Sequence, residues 1–234
     1  MSMVSLWSHK FWTLVMEKVN HLYEADTKGV ASIKITDISE KEARLYNLHC
    51  IINDRPMMML EAGTYTNLFV NGDIMMSDTP MEQNTNWEFM REAHGDVLIG
   101  GLGIGLILYN LREKVANGIV TSITVMEKYQ DVIDLVLPRI QPFFSKESLK
   151  VILQDVLEYK PAKEEKFDTI YFDIWPSISS DNYSDMVLLH RRWGRHLREN
   201  GWMSSWCKKH VYQLYKEAMD CESTKNFLGF QNLS

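Results

Sequence analysis

The sequence predicts an α/β fold in which helices flank a mostly parallel sheet, with one helix and a small antiparallel β appendage ahead of it. Residues 97–127 contain an apolar strand, four glycines within six positions, an amphipathic helix and a second apolar strand, which together make one βαβ unit. Strand and helix patterns keep alternating up to residue 206, which indicates a sheet continued in the same way. Residues 30–76 differ, because short β-prone runs separated by turn residues are typical of an antiparallel sheet.

Length and composition fit an ordinary globular protein of this class. The 234 residues suit one α/β domain with an appendage, and we place the boundary between residues 1–76 and 77–234. The net charge of −6 argues against a nucleic-acid-binding surface, which needs clustered Lys and Arg. No run reaches the roughly 18 apolar residues of a membrane span. The three widely spaced cysteines lack the C-x-x-C spacing of a metal site, so a reduced, cytoplasmic protein without a metal is expected.

The first 76 residues predict one helix followed by five short strands. Apolar residues recur at helical spacing over 4–24, and this helix packs either on its own domain or against a second copy in a homodimer. Turn sequences at 53–56 and 71–73 favour hairpins. The predicted strands cover residues 31–35, 44–52, 56–61, 64–70 and 74–76.

The glycines after the first strand of the βαβ unit have the form of a ligand-binding turn. Gly101, Gly103 and Gly105 alternate, so the backbone can bend sharply and approach a ligand closely. The helix that begins near Ile104 directs free amides and its positive dipole end at the same place. The G-x-G-x-G spacing differs from the G-x-G-x-x-G of dinucleotide sites, and no Gly-Lys-Ser/Thr of a P-loop follows. The alternative is a tight strand-to-helix turn without a ligand.

Three carboxylates follow three successive predicted strands. Glu127 ends the second strand, where it can accept both hydroxyl hydrogens of a ribose. Asp155 comes just beyond the third strand, 149–153. There it either contacts the ligand or serves locally as a helix cap or a turn residue. Asp173 leaves the fourth strand at the carboxyl edge, where open α/β sheets bind ligands. The sequence therefore predicts a nucleotide-like ligand at this edge, with Asp173 beside it.

Substrate contacts are predicted on both sides of the glycine turn. Asp78 and Glu82 precede the first parallel strand, and they either contact a substrate or serve the helix whose first turn contains Pro80. Trp175 is expected to form a wall of the pocket. Asp181 lies in a polar loop that could close over the pocket as a lid.

The remaining pattern gives a short C-terminal part. Pro138 is expected to stop the second helix of the sheet domain. The sheet should contain five or six strands, because too little chain follows for a terminal antiparallel hairpin. The remaining predicted elements are helices 132–137, 186–197 and 208–219, a fifth strand 201–206 and at most one short strand within 226–233.

This order of parts resembles the class I S-adenosylmethionine-dependent methyltransferases, and within them the spermidine synthase-like branch. The resemblance rests on the leading small β-domain, the glycine turn 99–105 and the acidic residues after three strands. It implies a Rossmann-like sheet shortened at its C-terminus, S-adenosylmethionine as cofactor, Asp155 beside the adenine and Asp173 as the catalytic aspartate. The chain departs from the branch at Ile104, which replaces an aspartate of the turn, and it lacks the D-x-x-D after the fourth strand.

Three functions are compatible with these residues. The first is an S-adenosylmethionine-dependent methyltransferase acting on a small molecule, with Asp173 orienting or deprotonating the nucleophile and Glu127 holding the cofactor. The second is aminopropyl transfer from decarboxylated S-adenosylmethionine to an amine, for which Asp78, Glu82, Asp173 and Asp181 would form an acidic pocket. The third is a module that binds the cofactor without catalysis and contacts a partner through its N-terminal helix.

Overall fold

The computed structural model describes residues 16–231, except the side chains of Met57 and residues 222–231. The first part of the described chain forms a four-stranded antiparallel sheet in the order β1-β2-β3-β4, with one helix inserted between its second and third strands. The turn between the last two strands has Asn71 and Gly72 in the left-handed region, as a two-residue hairpin requires, so the predicted hairpin at 71–73 is confirmed. These elements are β1 Asp26–Lys28, β2 Ala31–Ile38, α1 Glu40–Ile52, β3 Gly63–Val70 and β4 Asp73–Ser77.

The predicted strands 44–52 and 56–61 are wrong. Ser39 and Glu42 form a reciprocal capping box that starts α1, and the helix continues through residues 44–52. Asn53 is the C-cap of this helix rather than the start of a hairpin, and Pro56–Met58 is a single 3-10 turn. The β-branched and apolar residues that suggested a strand are exposed on α1; Leu45, Leu48, Ile51 and Ile52 are each more than half exposed.

The second sheet has five parallel strands in the order β7-β6-β5-β8-β9. The chain runs outwards from β5 to one edge and then returns to the other side of β5, so the order reverses between β5 and β8. The predicted Rossmann-like α/β fold with a small antiparallel appendage is therefore confirmed. The elements are α2 Pro80–Thr85, α3 Trp87–Glu92, β5 Gly95–Gly100, α4 Leu106–Ala116, β6 Val120–Glu127, α5 Gln130–Ile140, β7 Leu149–Leu153, β8 Phe167–Phe172, α6 Asn182–Trp193, β9 Leu197–Ser205 and α7 Lys208–Gln231.

The small sheet packs on the parallel sheet through one continuous apolar core. Polar contacts join them as well, because the Tyr23 hydroxyl donates to the carbonyl oxygen of Ile104 at 2.6 Å and Arg139 pairs with Asp26 at 3.0 Å. Asp131 of α5 accepts from the backbone N–H of Val30 at 2.9 Å. These contacts hold the antiparallel sheet over the carboxyl end of the parallel one.

Three further expectations need correction. Residues 16–24 contain only a 3-10 turn, Asn20–Leu22, while the rest of the predicted helix 4–24 lies outside the described residues. Pro138 lies inside α5 instead of ending it. A proline this close to the end of a helix removes only one backbone hydrogen bond, so the helix can continue to Ile140. Residues 226–231 continue α7 and form no strand. Among the described residues, the helices are too short or too polar to cross a membrane.

Candidate functional site

A cavity opens at the carboxyl ends of β5, β6, β7 and β8, where the strand order reverses. Open α/β sheets bind their ligands at this place. The glycine turn forms one side of the cavity and the residues after the strands form the floor. Strands β3 and β4 of the small sheet close the cavity with apolar side chains from Leu68, Val70, Met75 and Met76.

Two glycines of the turn are required by their surroundings as well as by their backbone. Gly101 has φ +96°, and a Cβ there would lie 2.1 Å from the carbonyl oxygen of Asp173. Gly103 has φ +53°, and a Cβ there would lie 2.1 Å from the Met76 sulfur. Both conditions disfavour any side chain, more strongly at Gly101, where the neighbouring atom belongs to the backbone. Gly105 is the N-cap of α4 and packs against Ile140, outside the cavity lining.

Glu127 ends β6 and presents a buried carboxylate to the cavity. One oxygen accepts from the backbone N–H of Leu102 at 2.9 Å and the other from that of Tyr129 at 2.9 Å. Burial raises the pKa of the Glu127 carboxyl, and these backbone N–H groups oppose the rise. Each oxygen retains a second lone pair, so the carboxylate is fixed and can still accept hydroxyl hydrogens.

Asp155 follows β7 and lies in the same cavity lining. Its Oδ1 accepts from the backbone N–H of Leu157 at 2.8 Å, which is the turn role considered from sequence. Its Oδ2 pairs with Lys128 Nζ at 3.0 Å, and this contact raises the pKa of the lysine. The structure thus gives Asp155 both a local structural task and a place in the cavity.

Asp173 follows β8 at the cavity floor. Its backbone N–H donates to the carbonyl oxygen of Gly100 at 2.8 Å, which fixes the residue beside the glycine turn. Burial raises the pKa of the Asp173 carboxyl from 3.8 to about 7, and a hydrogen bond with the Asn86 side chain opposes the rise. A carboxyl with such a pKa can take up or release a proton near neutral pH.

Glu82 lies on α2 and lines the same cavity with 7% of its surface exposed. Burial, and then the negative charge of Asp173, raise the pKa of its carboxyl well above the usual range. Two carboxyls in one buried site resist double ionisation. Glu82 and Asp173, called the carboxyl pair below, therefore carry at most one negative charge near neutral pH.

Two residues that the sequence did not single out lie beside the carboxyl pair. Asn86 is fully buried; its side-chain amide donates to the carbonyl oxygen of Glu82 at 3.0 Å and its oxygen accepts from the Tyr171 hydroxyl at 2.9 Å. Asn86 lies one helical turn beyond Glu82, and Tyr171 lies two residues before Asp173. Spacings of four along helical chain and two along a strand place side chains on a common side, and this was the available signal.

The other predicted substrate residues have different positions. Asp78 is fully buried and lines neither cavity; its oxygens accept from the backbone N–H groups of Thr66 at 2.7 Å and Val19 at 3.1 Å. Asp181 is exposed at the start of α6, also away from both cavities. Trp175 is 8% exposed and lines the first cavity, with its indole N–H donating to Asp185 at 3.4 Å.

A second, wider cavity opens between α2 and α3 on one side and α6 and α7 on the other; we call it the aromatic cleft. Its floor contains a stack of three rings, in which Phe89 and Tyr171 lie 4.4 Å apart and Tyr171 and Trp202 lie 6.1 Å apart. More accessible rings form its walls, from Trp87, Tyr183 and Tyr212. Its surface is largely apolar.

No protein-family model and no curated protein sequence matches the chain. Solved structures show partial likeness. An S-adenosylmethionine-dependent methyltransferase from Clostridium acetobutylicum is 18% identical over 50% of this chain and 44% of its own, with a TM-score of 0.37. The S-adenosylhomocysteine-bound methyltransferase PaMTH1 from Podospora anserina is 18% identical over 56% of this chain and 53% of its own, with a TM-score of 0.43.

The N-methyltransferase NodS from Bradyrhizobium japonicum is 19% identical over 54% of this chain and 67% of its own, with a TM-score of 0.39. The chain thus spans less than half the length of the Clostridium protein. At these identities, and with TM-scores below 0.5, the cofactor and the reaction have to be argued from the site itself.

Proposed function

We propose that the chain is an S-adenosylmethionine-dependent methyltransferase that acts on a small molecule. One observation carries the proposal: Glu127, Asp155 and Asp173 follow three successive strands and line one cavity together with the glycine turn. A nucleoside with a charged sulfur substituent needs an acceptor for its ribose hydroxyls, a partner for its base and a tight backbone approach. This arrangement offers all three.

The residues present fit that cofactor. Glu127 would hold the ribose hydroxyls, because its carboxylate is already oriented by two backbone N–H groups. Asp155 would accept from the adenine amine, sharing its oxygens with Leu157 and Lys128. Apolar lining from Met126 and Val132 suits the faces of a base. The positive N-terminal end of α4 beside Gly103 suits a carboxylate.

Bound S-adenosylmethionine would supply an activated methyl group, so the chain needs mainly to align a nucleophile and remove its proton. Asp173 is placed for the second task. Its backbone is held against Gly100, and burial raises the pKa of its carboxyl to about 7, which suits a general base at neutral pH. This base also favours an enzyme over a binding module without catalysis.

The aminopropyltransferase alternative is less well supported by the site. It drew on four acidic residues, and two of them do not reach a cavity. Asp78 binds backbone N–H groups in the core and Asp181 is exposed at the start of α6. Of the four, only Glu82 and Asp173 remain to receive a polyamine, and the walls of the aromatic cleft are largely apolar.

The proposal is tested first by cofactor binding. Isothermal titration calorimetry with S-adenosylhomocysteine should show binding to the wild type, and Glu127→Gln should weaken it by roughly tenfold or more because a charged acceptor is lost. Glu113→Gln is the matched control, since this residue is exposed on α4 and should leave affinity unchanged. Absence of binding to the wild type would refute the cofactor. Incubation with S-adenosylmethionine or its decarboxylated form and an acceptor then separates the reactions, because methyl transfer releases S-adenosylhomocysteine whereas aminopropyl transfer releases methylthioadenosine.

A further inference from the structure

The carboxyl pair lies in the first cavity, near residues that line the aromatic cleft. Glu82 and Asp173 line the first cavity, whereas their neighbours Met81 and Tyr171 line the aromatic cleft. Cys207 also lines the aromatic cleft, and the charges of Asp173 and Glu82 help to raise the pKa of its thiol to about 12, after burial. Neither carboxyl lines the aromatic cleft itself, but the charges of both act on Tyr171 and Cys207, which do line it.

We propose that the acceptor is an arylalkylamine, whose aromatic ring occupies the aromatic cleft and whose amine nitrogen lies against the carboxyl pair. This inference rests on the proposed methyl transfer. It adds the substrate class and the direction of entry, since cofactor and acceptor approach Asp173 from opposite cavities. It also gives Glu82 a role in holding the acceptor.

The amine follows from the charge of the site. Among the described residues, no Lys or Arg forms an ion pair with Glu82 or Asp173, and the nearby cation Lys128 is paired with Asp155. A buried carboxylate without a counter-ion gains from an incoming cation, because its own desolvation has already been incurred on folding. An ammonium group supplies that charge and up to three hydrogen-bond donors for the carboxyl oxygens.

The aromatic body follows from the walls of the cleft. Trp202, Tyr183 and Tyr212 present ring surfaces to it, and ring-to-ring contacts favour a flat apolar ligand over a flexible aliphatic chain. The rim of the cleft carries charges of both signs. Glu88 and Asp54 are acidic, whereas Lys209 and other lining residues are basic, and Lys209 pairs with Glu88. Selection for positive charge therefore occurs at the carboxyl pair and not at the entrance.

The chemical step balances with these groups. The acceptor arrives as an ammonium ion, and ionised Asp173 takes one proton to leave a neutral amine. The nitrogen lone pair then forms a bond to the methyl carbon as the carbon–sulfur bond breaks, and that bonding pair stays on sulfur, which becomes a neutral thioether. The product leaves as a methylated ammonium ion, and Asp173 returns its proton to solvent. Glu82 stays protonated and orients the nitrogen.

The inference is tested by binding, independently of turnover. Calorimetry at pH 8 with saturating S-adenosylhomocysteine should show phenethylamine binding roughly tenfold or more tighter than 2-phenylethanol, which lacks the cation, and tighter than putrescine, which lacks the ring. Asp173→Asn should abolish the preference for the amine over the alcohol. Tyr212→Ala, at an exposed wall residue, should weaken phenethylamine and leave putrescine unchanged. Asp181→Asn, which removes a negative charge away from both cavities, is the matched control and should change neither.

Equal binding of phenethylamine and 2-phenylethanol, or tighter binding of putrescine, would overturn the inference. The same titrations without S-adenosylhomocysteine separate the two proposals. A protein that binds phenethylamine in this Asp173-dependent way but never binds S-adenosylhomocysteine would retain the amine site and lose the proposed methyl transfer. A protein that binds S-adenosylhomocysteine and ignores all three probes would retain the cofactor and lose the amine site.

Discussion

Replacing Asp173 with Asn should make the protein more stable, and the gain should depend on pH. Burial raises the pKa of this carboxyl from 3.8 to about 7 in the folded protein. A group whose pKa is higher in the folded state favours folding while protonated, and this contribution is lost as pH rises through the folded-state value. Each tenfold difference in proton affinity is worth about 1.4 kcal/mol, so the ionised carboxylate disfavours folding by ~4 kcal/mol above pH 7.

Urea unfolding of the wild type and Asp173→Asn between pH 4.5 and 8.5 measures this contribution. The difference in unfolding free energy should grow in favour of the variant from about pH 4 and level off above about pH 7. Asp181→Asn removes the same charge from an exposed position and serves as the control. A difference that stays constant across the range for Asp173→Asn would refute the argument that this carboxyl is buried at a cost. The proposed methyl transfer should be lost in the same variant.

Three other substitutions test separate features. Gly103→Ala should cost roughly 1–2 kcal/mol, because φ is +53° and the new methyl group meets the Met76 sulfur; the same substitution should cost less in a Met76→Ala background than in the wild type, and an equal loss of melting temperature in both backgrounds would contradict the contact. Asp78→Ala should destabilise by roughly 2–4 kcal/mol, since two buried backbone N–H groups lose their acceptor, and an unchanged urea midpoint would contradict this. His190→Gln should remove an acid-side loss of stability. Burial and Lys208 lower the pKa of this histidine from 6.5 to about 4, so the wild type loses stability as pH falls from 6.5 towards 4; parallel urea midpoints of wild type and variant at pH 7.5 and 5 would refute it.

The parallel sheet could be predicted because its signals are local. The third strand has the predicted bounds, Leu149–Leu153, and the carboxylates after the strands could be placed because parallel strands end at one edge. Asn117 and Gly118 end α4, and these residue types are typical of helix C-termini. The prediction of a domain boundary after residue 76 and that of a homodimer remain predictions.

The sequence-based predictions are wrong where a side chain binds a partner that is distant in the sequence, and where one local pattern outweighs another that points to the correct element. The sequence predicts that Asp78 caps a helix or contacts a ligand. Its side chain instead accepts a hydrogen bond from the backbone N–H of Val19, which lies 59 residues earlier, and no local pattern indicates such a partner. Helix α1 was missed because its apolar residues face outwards and imitate a strand. The pair Ser39 and Glu42, at capping-box spacing before that run, was the signal that would have identified the helix.

The contact between Gly101 and the backbone of Asp173 has a consequence for alignment. The turn that would hold the cofactor and the carboxylate that would take the proton share one backbone junction, tied by the Asp173 N–H to Gly100 and by the close approach of Gly101. Thermal motion of this junction carries both groups together, so the spacing between them varies less than either position does. The walls of the aromatic cleft come from α2, α3, α6 and α7, outside that junction. Changes in the shape of the proposed acceptor can thus be accommodated there without altering the spacing on which the proposed methyl transfer depends.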